Sequence, residues 1–236
     1  MFTAVNPKLK KGEQFGFMSF GIHFAPHTLS GYQVCASASA GCRTACLYTS
    51  GHGQFTNTQN ARIAKTKRFF ESRAIFLAEL VKESKAAMRK AAREGFTPAF
   101  RLNLTSDIRW ENIPVTVDGV EYPNIMTAFP TVQYYDYTKH TNRTNIPANY
   151  HLTFSRSESN DEQVTAMFDR GFNVAIVFDT PKGMPLPTTY MGREVIDGDE
   201  HDLRFLDKRG VWVGLRGKGA AKKGEHNGFV ILTRGK

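Results

Sequence analysis

The chain has 236 residues, and 41% of them are hydrophobic, which fits an ordinary globular core; we expect a single domain over residues 1–236. Its 31 lysines and arginines exceed its 22 aspartates and glutamates by nine, and this positive charge favours nucleic acid or another polyanion as a partner. The sequence shows neither a secretion signal nor an apolar run of about 18 residues, so we expect a cytoplasmic protein that does not enter the membrane.

The first predicted element is a short strand within Phe15–Phe24, after which Gly31–Cys35 leads into a loop over residues 31–53. This loop contains all the cysteines of the chain, Cys35, Cys42 and Cys46. Residues 36–41 are all Ala, Ser or Gly, so the backbone can approach a bound group closely and direct its N–H groups at it. An odd number of cysteines argues against a disulfide framework. Because thiolates bind soft metals and iron–sulfur clusters, the sequence predicts a three-point metal clamp.

Three thiolates leave one coordination position open, and an open position indicates ligand binding or chemistry. The candidates for a fourth protein ligand are His23, His27, His52 and Asp107. Of these, His52 is nearest in sequence to the cysteines, and glycines on both sides would let it turn back toward them. We expect an iron–sulfur cluster, most simply of the 4Fe-4S type. The main alternative is zinc held by three cysteines and one histidine. A third interpretation is that the three cysteines are separate buried side chains that bind no metal.

A helical segment is predicted over residues 57–95, with Thr56 or Asn57 as its cap, a break near Ser72 and Gly95 as its end. Its basic residues Arg62, Lys65, Lys67 and Arg68 are expected to form a solvated face. Since they follow the cysteine loop directly, the alternative is that this face binds an anionic ligand.

The strand-rich part, residues 98–236, consists of short apolar runs that end in polar residues. The predicted strands are Phe100–Asp107, Val132–Lys139, Tyr150–Ser157, Phe172–Asp179, Glu194–Gly198 and Val211–Arg216. A further helix is predicted over Asp161–Arg170. Strands that alternate with helices are typical of parallel α/β proteins, and helical crossovers are fewer here than strands, so we expect an irregular or partial (β/α) barrel.

In such a fold the polar residues at the carboxyl ends of the strands share one rim, together with the cysteine loop. The expected rim residues are Asn103, Ser106, Asp107, Asp136, Lys139, Ser155, Arg156, Asp179, Asp197, Asp199, Arg216 and Lys218. The catalytic candidates among them are Asp107, Arg216 and Lys218. Arg216 and Lys218 lie in a basic, glycine-rich run over residues 214–219, which suits phosphate or carboxylate recognition. A serine nucleophile elbow, a zinc-protease helix motif and a dinucleotide-binding turn are all missing from the sequence.

The small-residue cysteine loop, the run at residues 101–107, the acidic segment at 197–204 and the basic segment at 214–219 together resemble the phage-encoded gene product 88 family. The resemblance covers most of the chain and implies an iron–sulfur-type protein with a barrel-like core in the host cytoplasm. A more distant resemblance is to radical S-adenosylmethionine enzymes, in which three cysteines after the first barrel strand hold a four-iron cluster with one open iron. It implies S-adenosylmethionine as a further cofactor, although six and then three residues separate the cysteines here, where those enzymes have three and two.

Two hypotheses follow for the function. The first is an iron–sulfur protein with an open iron, acting in redox or radical-type chemistry on a small-molecule ligand with the help of a reductant. The second is a zinc-stabilised basic protein that binds nucleic acid or a host factor without catalysis.

Overall fold

The computed structural model of the chain describes residues 1–2, 10–222 and 227–233. The α-helices in the described residues are α1 Ala40–Thr44, α2 Thr56–Glu71, α3 Arg73–Arg93, α4 Ile125–Ala128 and α5 Asp161–Asp169. The strands are β1 Phe17–Gly21, β2 Thr97–Arg101, β3 Val115–Val117, β4 Val120–Tyr122, β5 Gln133–Thr138, β6 Tyr150–Ser155, β7 Val174–Phe178, β8 Thr189–Tyr190, β9 Arg193–Asp197, β10 Trp212–Arg216 and β11 Val230–Ile231. None of the described helices is long and apolar enough to cross a membrane.

The central sheet is mostly parallel, which confirms the predicted α/β class. Its strands lie in the order β1, β2, β5, β6, β7, β10, β9 and β8, with β11 beside the end of β7. Every neighbouring pair is parallel except β8 and β9, so the parallel strands end along one edge of the sheet. Among the described strands no closed barrel forms, since β1 and β8 stand at the two ends of the order.

The long helical segment is two helices that meet at Ser72, as the sequence predicts. Gly95, at φ 77°, follows the second helix in the left-handed conformation that favours glycine. The predicted cap is wrong by one residue, because Phe55 occupies the N-cap position and no side chain caps the helix. Packing rather than capping therefore fixes the start of α2.

Different parts of the chain pack on the two faces of the sheet. Side chains of one strand alternate between these faces. Phe100 and Tyr134 pack on one face with the buried side of α3. Ala99 and Tyr135 point to the other face, where they meet Leu203 from the segment after β9. The same segment also reaches the side of the sheet that β1 forms. There Nζ of Lys11, which precedes β1, donates to the Asp199 carbonyl at 2.7 Å. The segment after β9 thus spans the sheet on the face opposite the helices.

Several predicted boundaries are wrong, for identifiable reasons. The strand expected over Phe100–Asp107 ends at Arg101, because the side chain of Asn103 forms a local turn: its amide donates to the Ile108 carbonyl at 2.9 Å and its oxygen accepts from the Ile108 N–H at 3.0 Å. The hairpin of β3 and β4 was not predicted, although its turn residues Asp118 and Gly119, both at positive φ, are a strong hairpin signal.

Candidate functional site

The cysteine loop lies on the edge where the parallel strands end, as predicted. Glu158, which follows β6, accepts hydrogen bonds from the Ser39 hydroxyl and the Gly41 N–H, both at 2.7 Å. Asp107, which follows β2, donates its N–H to the Val34 carbonyl at 2.8 Å. These contacts attach the loop to the ends of two different strands, so its cysteines face the edge residues.

None of the three cysteines forms a disulfide, and each is partly buried. Burial is the largest cause that raises the pKa of the Cys35 thiol to about 12, and the charges of Asp107, Cys46 and Cys42 act in the same direction. Burial also raises the pKa of Cys46, again with a contribution from Cys42. Cys42 therefore acts on both of the other cysteines, and Cys46 acts on Cys35.

Backbone N–H groups point at two of the sulfurs. A hydrogen bond from His27 lowers the pKa of Cys35, and one from Tyr48 lowers the pKa of Cys46, each against the larger effect of burial. His27 has a φ of 42°, so the chain adopts an uncommon left-handed conformation beside Cys35. Hydrogen bonds to cysteine sulfur are one of the means by which proteins tune iron–sulfur clusters.

The described side chains do not converge on a single ion. No group of three or more His, Cys, Asp or Glu residues among them is arranged to hold one metal ion. A tetrahedral zinc site, with Zn–S bonds of about 2.3 Å, would bring its sulfurs to about 4 Å from one another. A cluster binds each cysteine at a different iron and keeps the sulfurs farther apart. The described residues thus contain no ready-made site for a single ion.

Arg62 is a half-buried cation whose charge acts on Cys46. Its Nη1 atom is buried and has no hydrogen-bond partner in the part of the chain that the structure describes. Its guanidinium carbon lies 5.8 Å from the centre of the Tyr48 ring. Gly53 makes room for it, since a Cβ at that position would lie 3.1 Å from Nη1. A buried charge without a counter-charge is costly, so this place suits a negatively charged group.

This position corrects the expectation of a solvated basic face on α2. Lys67 and Arg68 are exposed as expected, but Arg62 and Lys65 are half-buried. The helical periodicity indicates that Arg62 lies on the buried side of α2, because Thr66 and Phe69, four and seven residues later, are both buried. A cation on the buried stripe of a helix is a candidate site residue.

The histidine candidates for a fourth ligand differ in their surroundings. His52 is exposed, and its ring packs edge-on against Phe55 at 5.6 Å between ring centres. His23 is largely buried; its pKa is lowered to about 3 by burial and by the cations Arg62, Lys65 and Arg101, so it is neutral at physiological pH. A neutral imidazole is the ligand form of histidine.

Asp107 lies close to Cys35, as its effect on the pKa of that thiol shows. Its Oδ2 accepts from the Lys139 N–H at 2.8 Å. Its Oδ1 is buried without a hydrogen-bond partner among the described atoms, and Nη1 of Arg143 lies 3.8 Å away. Of the predicted catalytic candidates, Asp107 is the one that the structure brings to a cysteine.

Arg216 and Lys218 instead pair with the acidic segment. Arg216 Nη1 lies 2.8 Å from Asp197 Oδ2, and its backbone N–H donates to Asp199 Oδ2 at 3.0 Å. Lys218 Nζ lies 2.7 Å from Asp199 Oδ1. The acidic segment and the basic, glycine-rich run therefore neutralise each other.

Two of the expected rim residues, Asn103 and Asp136, are buried in a polar network beneath the edge. Asp136 on β5 is fully buried and accepts from the Asn103 N–H at 2.8 Å and from the Tyr150 hydroxyl at 2.9 Å. Burial raises its pKa to about 7, although Arg101 and these hydrogen bonds act in the opposite direction. Its only sequence signal is a carboxylate in the middle of a tyrosine-rich strand. The network fixes the ends of β2, β5 and β6 relative to each other.

A protein-family model described as Gene product 88 matches residues 1–231. Neither a curated protein nor a solved structure matches the chain. The match covers the cysteine loop, the polar edge and the acidic and basic segments, so all of these features lie within the region that matches the family.

Proposed function

This chain belongs to the Gene product 88 family of phage gene products, and we propose that it is an iron–sulfur protein whose cluster is held by Cys35, Cys42 and Cys46. We propose a 4Fe-4S cluster with one iron left open toward the edge residues. When bound, such a cluster supplies one-electron chemistry and a Lewis-acidic position for a ligand.

The observation that carries the proposal is the grouping of three cysteines on one loop, of which Cys42 and Cys46 act on the pKa of Cys35, beside Arg62, whose Nη1 is buried without a hydrogen-bond partner among the described residues. Thiols that act on each other's charge would repel when ionised, and a metal centre removes that cost. Arg62 then compensates the negative charge that thiolates and sulfides bring. The backbone N–H groups of His27 and Tyr48 would hold two of the ligating sulfurs in place.

We further interpret the sheet as a partial barrel. Its parallel strands follow one another from β1 to β7, and the segment after β9 returns to the residues before β1. In that arrangement the cluster would sit at the mouth, with Asp107 and neutral His23 within the same edge. A small-molecule ligand and a reductant would be its partners, and S-adenosylmethionine is the candidate ligand for a radical-type reaction. The reducing cytoplasm of the host would keep the free thiols reduced.

The second candidate is a zinc-stabilised protein that binds nucleic acid or a host factor. The formal charge of +9 favours it. The distribution of that charge does not, because Arg216, Lys218 and Lys85 are each engaged by carboxylates.

The test is anaerobic purification of the wild type beside Cys42→Ser and Thr44→Ala. Both substitutions lie on the short helix α1, but the Thr44 hydroxyl bonds only to the Ala40 carbonyl of its own helix in the described structure. We expect brown wild-type and Thr44→Ala proteins and a Cys42→Ser protein that has lost the visible absorption of thiolate-bound iron. Equal iron and sulfide contents in Cys42→Ser and wild type would refute the assignment.

A further inference from the structure

A cavity of about 190 Å³ lies where the cysteine loop meets the junction of α2 and α3. We propose that this cavity binds a small carboxylate with an apolar body, such as an aromatic acid. The inference goes beyond the proposed function and does not depend on a cluster, because protein side chains alone supply the binding groups.

The floor of the cavity is apolar. Its lining includes three buried residues, Val34, Phe69 and Ile113, and two partly buried ones, Phe70 and Ile108. An engineered protein cavity of about 150 Å³ with aliphatic and aromatic walls is large enough to hold benzene. The present cavity is larger, so it can hold one ring or a short branched chain together with a polar group.

Arg73, the first residue of α3, supplies a cation at the rim of the cavity. It is exposed, and its guanidinium carbon lies 4.3 Å from the ring centre of Phe69 and 5.6 Å from that of Phe70. Its Nε donates to the Phe69 carbonyl at 3.3 Å. The ring of Phe70 in turn stacks on that of Tyr32 at 4.5 Å between ring centres. These contacts hold the guanidinium in place before a ligand arrives, so binding costs less conformational entropy.

Arg73 differs from neighbouring arginines in its counter-charge. Arg68 pairs with Glu79, and Nε of Arg143 lies 2.8 Å from Oε1 of Glu111. Among the described residues Arg73 has no carboxylate partner, and Nε is its one hydrogen-bonded atom. Both of its Nη atoms are therefore available to a ligand. A guanidinium binds a carboxylate through two parallel hydrogen bonds, which favours a planar anion over a neutral group.

Asp107 is the anionic residue of the lining, and the protein itself offsets its charge. Its Oδ2 accepts from the Lys139 N–H at 2.8 Å, and Nη1 of Arg143 lies 3.8 Å from Oδ1. Its side chain is only 11% exposed. The charge that the cavity presents to a ligand is therefore the positive charge of Arg73. A ligand that matches both parts of the cavity has an anionic end for Arg73 and an apolar body for the floor.

The experiment measures the binding of benzoate, benzamide and acetate to the purified protein by isothermal titration calorimetry. Benzamide has the ring without the charge, and acetate has the charge without the ring. We expect benzoate to bind at least about fivefold more tightly than either, a factor that allows for the screening of an exposed charge by solvent.

Two substitutions separate the cavity from the general positive charge of the protein. Arg89 is the matched control for Arg73, because it is exposed on the same helix and its loss removes the same charge. In Arg73→Gln, benzoate and benzamide should bind with affinities within about twofold of each other, since only the charged contact distinguishes them. Arg89→Gln should keep the wild-type preference for benzoate.

Several outcomes would overturn the inference. They are wild-type protein that binds no benzoate at about 10 mM, equal affinities of the wild type for benzoate and for benzamide or acetate, and an Arg73→Gln protein that keeps the preference. Loss of the preference in Arg89→Gln would also overturn it, because the charge would then act from no particular place. The iron and sulfide contents of the same protein decide the proposed function separately.

Discussion

Two parts of the same sheet edge handle their charges in opposite ways. At the ends of β9 and β10, Arg216 and Lys218 are matched by Asp197 and Asp199. Around the cysteine loop, Arg62 Nη1 and Asp107 Oδ1 are buried without hydrogen-bond partners among the described residues.

Buried polar atoms in native proteins almost always have partners, so each exception needs an explanation, and a group that binds there is one. We infer that the paired part is scaffold and propose that the site lies around the cysteines. Each of the following predictions tests that division.

The largest effect should come from breaking the paired part. Arg216→Gln leaves Asp197 without its cation, so the free energy of unfolding should fall by about 1–3 kcal/mol. The iron and sulfide contents should stay at the wild-type values, because the cysteines are attached elsewhere. Denaturant unfolding and metal analysis of one preparation measure both quantities. Loss of the cluster with unchanged stability would reverse the roles of the two parts.

A smaller effect is expected at Glu158, which joins the cysteine loop to β6. Hydrogen bonds from Gly41 and Ser39 lower its pKa against the effect of burial. A carboxylate with a lowered pKa contributes stability above its unfolded pKa, near 4.5 here, and this contribution is lost as the pH falls through the folded value. Glu158→Gln should lose about 1 kcal/mol at pH 7 and should lack that acid-dependent step.

Unfolding curves recorded between pH 3 and pH 7 test this prediction, because the range includes the ordinary glutamate pKa and extends about one unit below it. A Glu158→Gln protein with the same pH profile as the wild type would show that the loop is held by other contacts.

The effect expected at Asp136, beneath the cysteine side, is on the pH dependence of stability. Its pKa is raised from 3.8 to about 7, so the folded protein keeps a proton that the unfolded chain has released. Stability should therefore fall as the pH rises from about 4 to about 7 and then level off. Asp136→Asn carries no titrating group and should remove this decline. A decline of equal size in Asp136→Asn would assign it to other groups.

Much of this arrangement is readable from the sequence. Polar residues after each apolar run predict the shared edge, and the cysteine loop lies there because it follows the first strand and precedes the long helices. The break at Ser72 is also predicted. These features depend on local patterns, which a sequence displays directly.

Pairing across the fold is not readable in the same way. Glu158 meets Gly41 across 117 residues, and Arg216 on β10 meets Asp197 on the neighbouring strand β9, 19 residues earlier, so no local pattern predicts either contact. For this reason the sequence does not show that the catalytic candidates Arg216 and Lys218 pair with Asp197 and Asp199. Arg62 was expected to be solvated, although its spacing to Thr66 and Phe69 places it on the buried side of α2.

The most direct test of the central claim is the metal and acid-labile sulfide content of wild-type protein purified without oxygen. The account predicts a brown protein with about four irons and about four sulfides per chain, and no stoichiometric zinc. A colourless protein that contains zinc, or iron without sulfide, would contradict it.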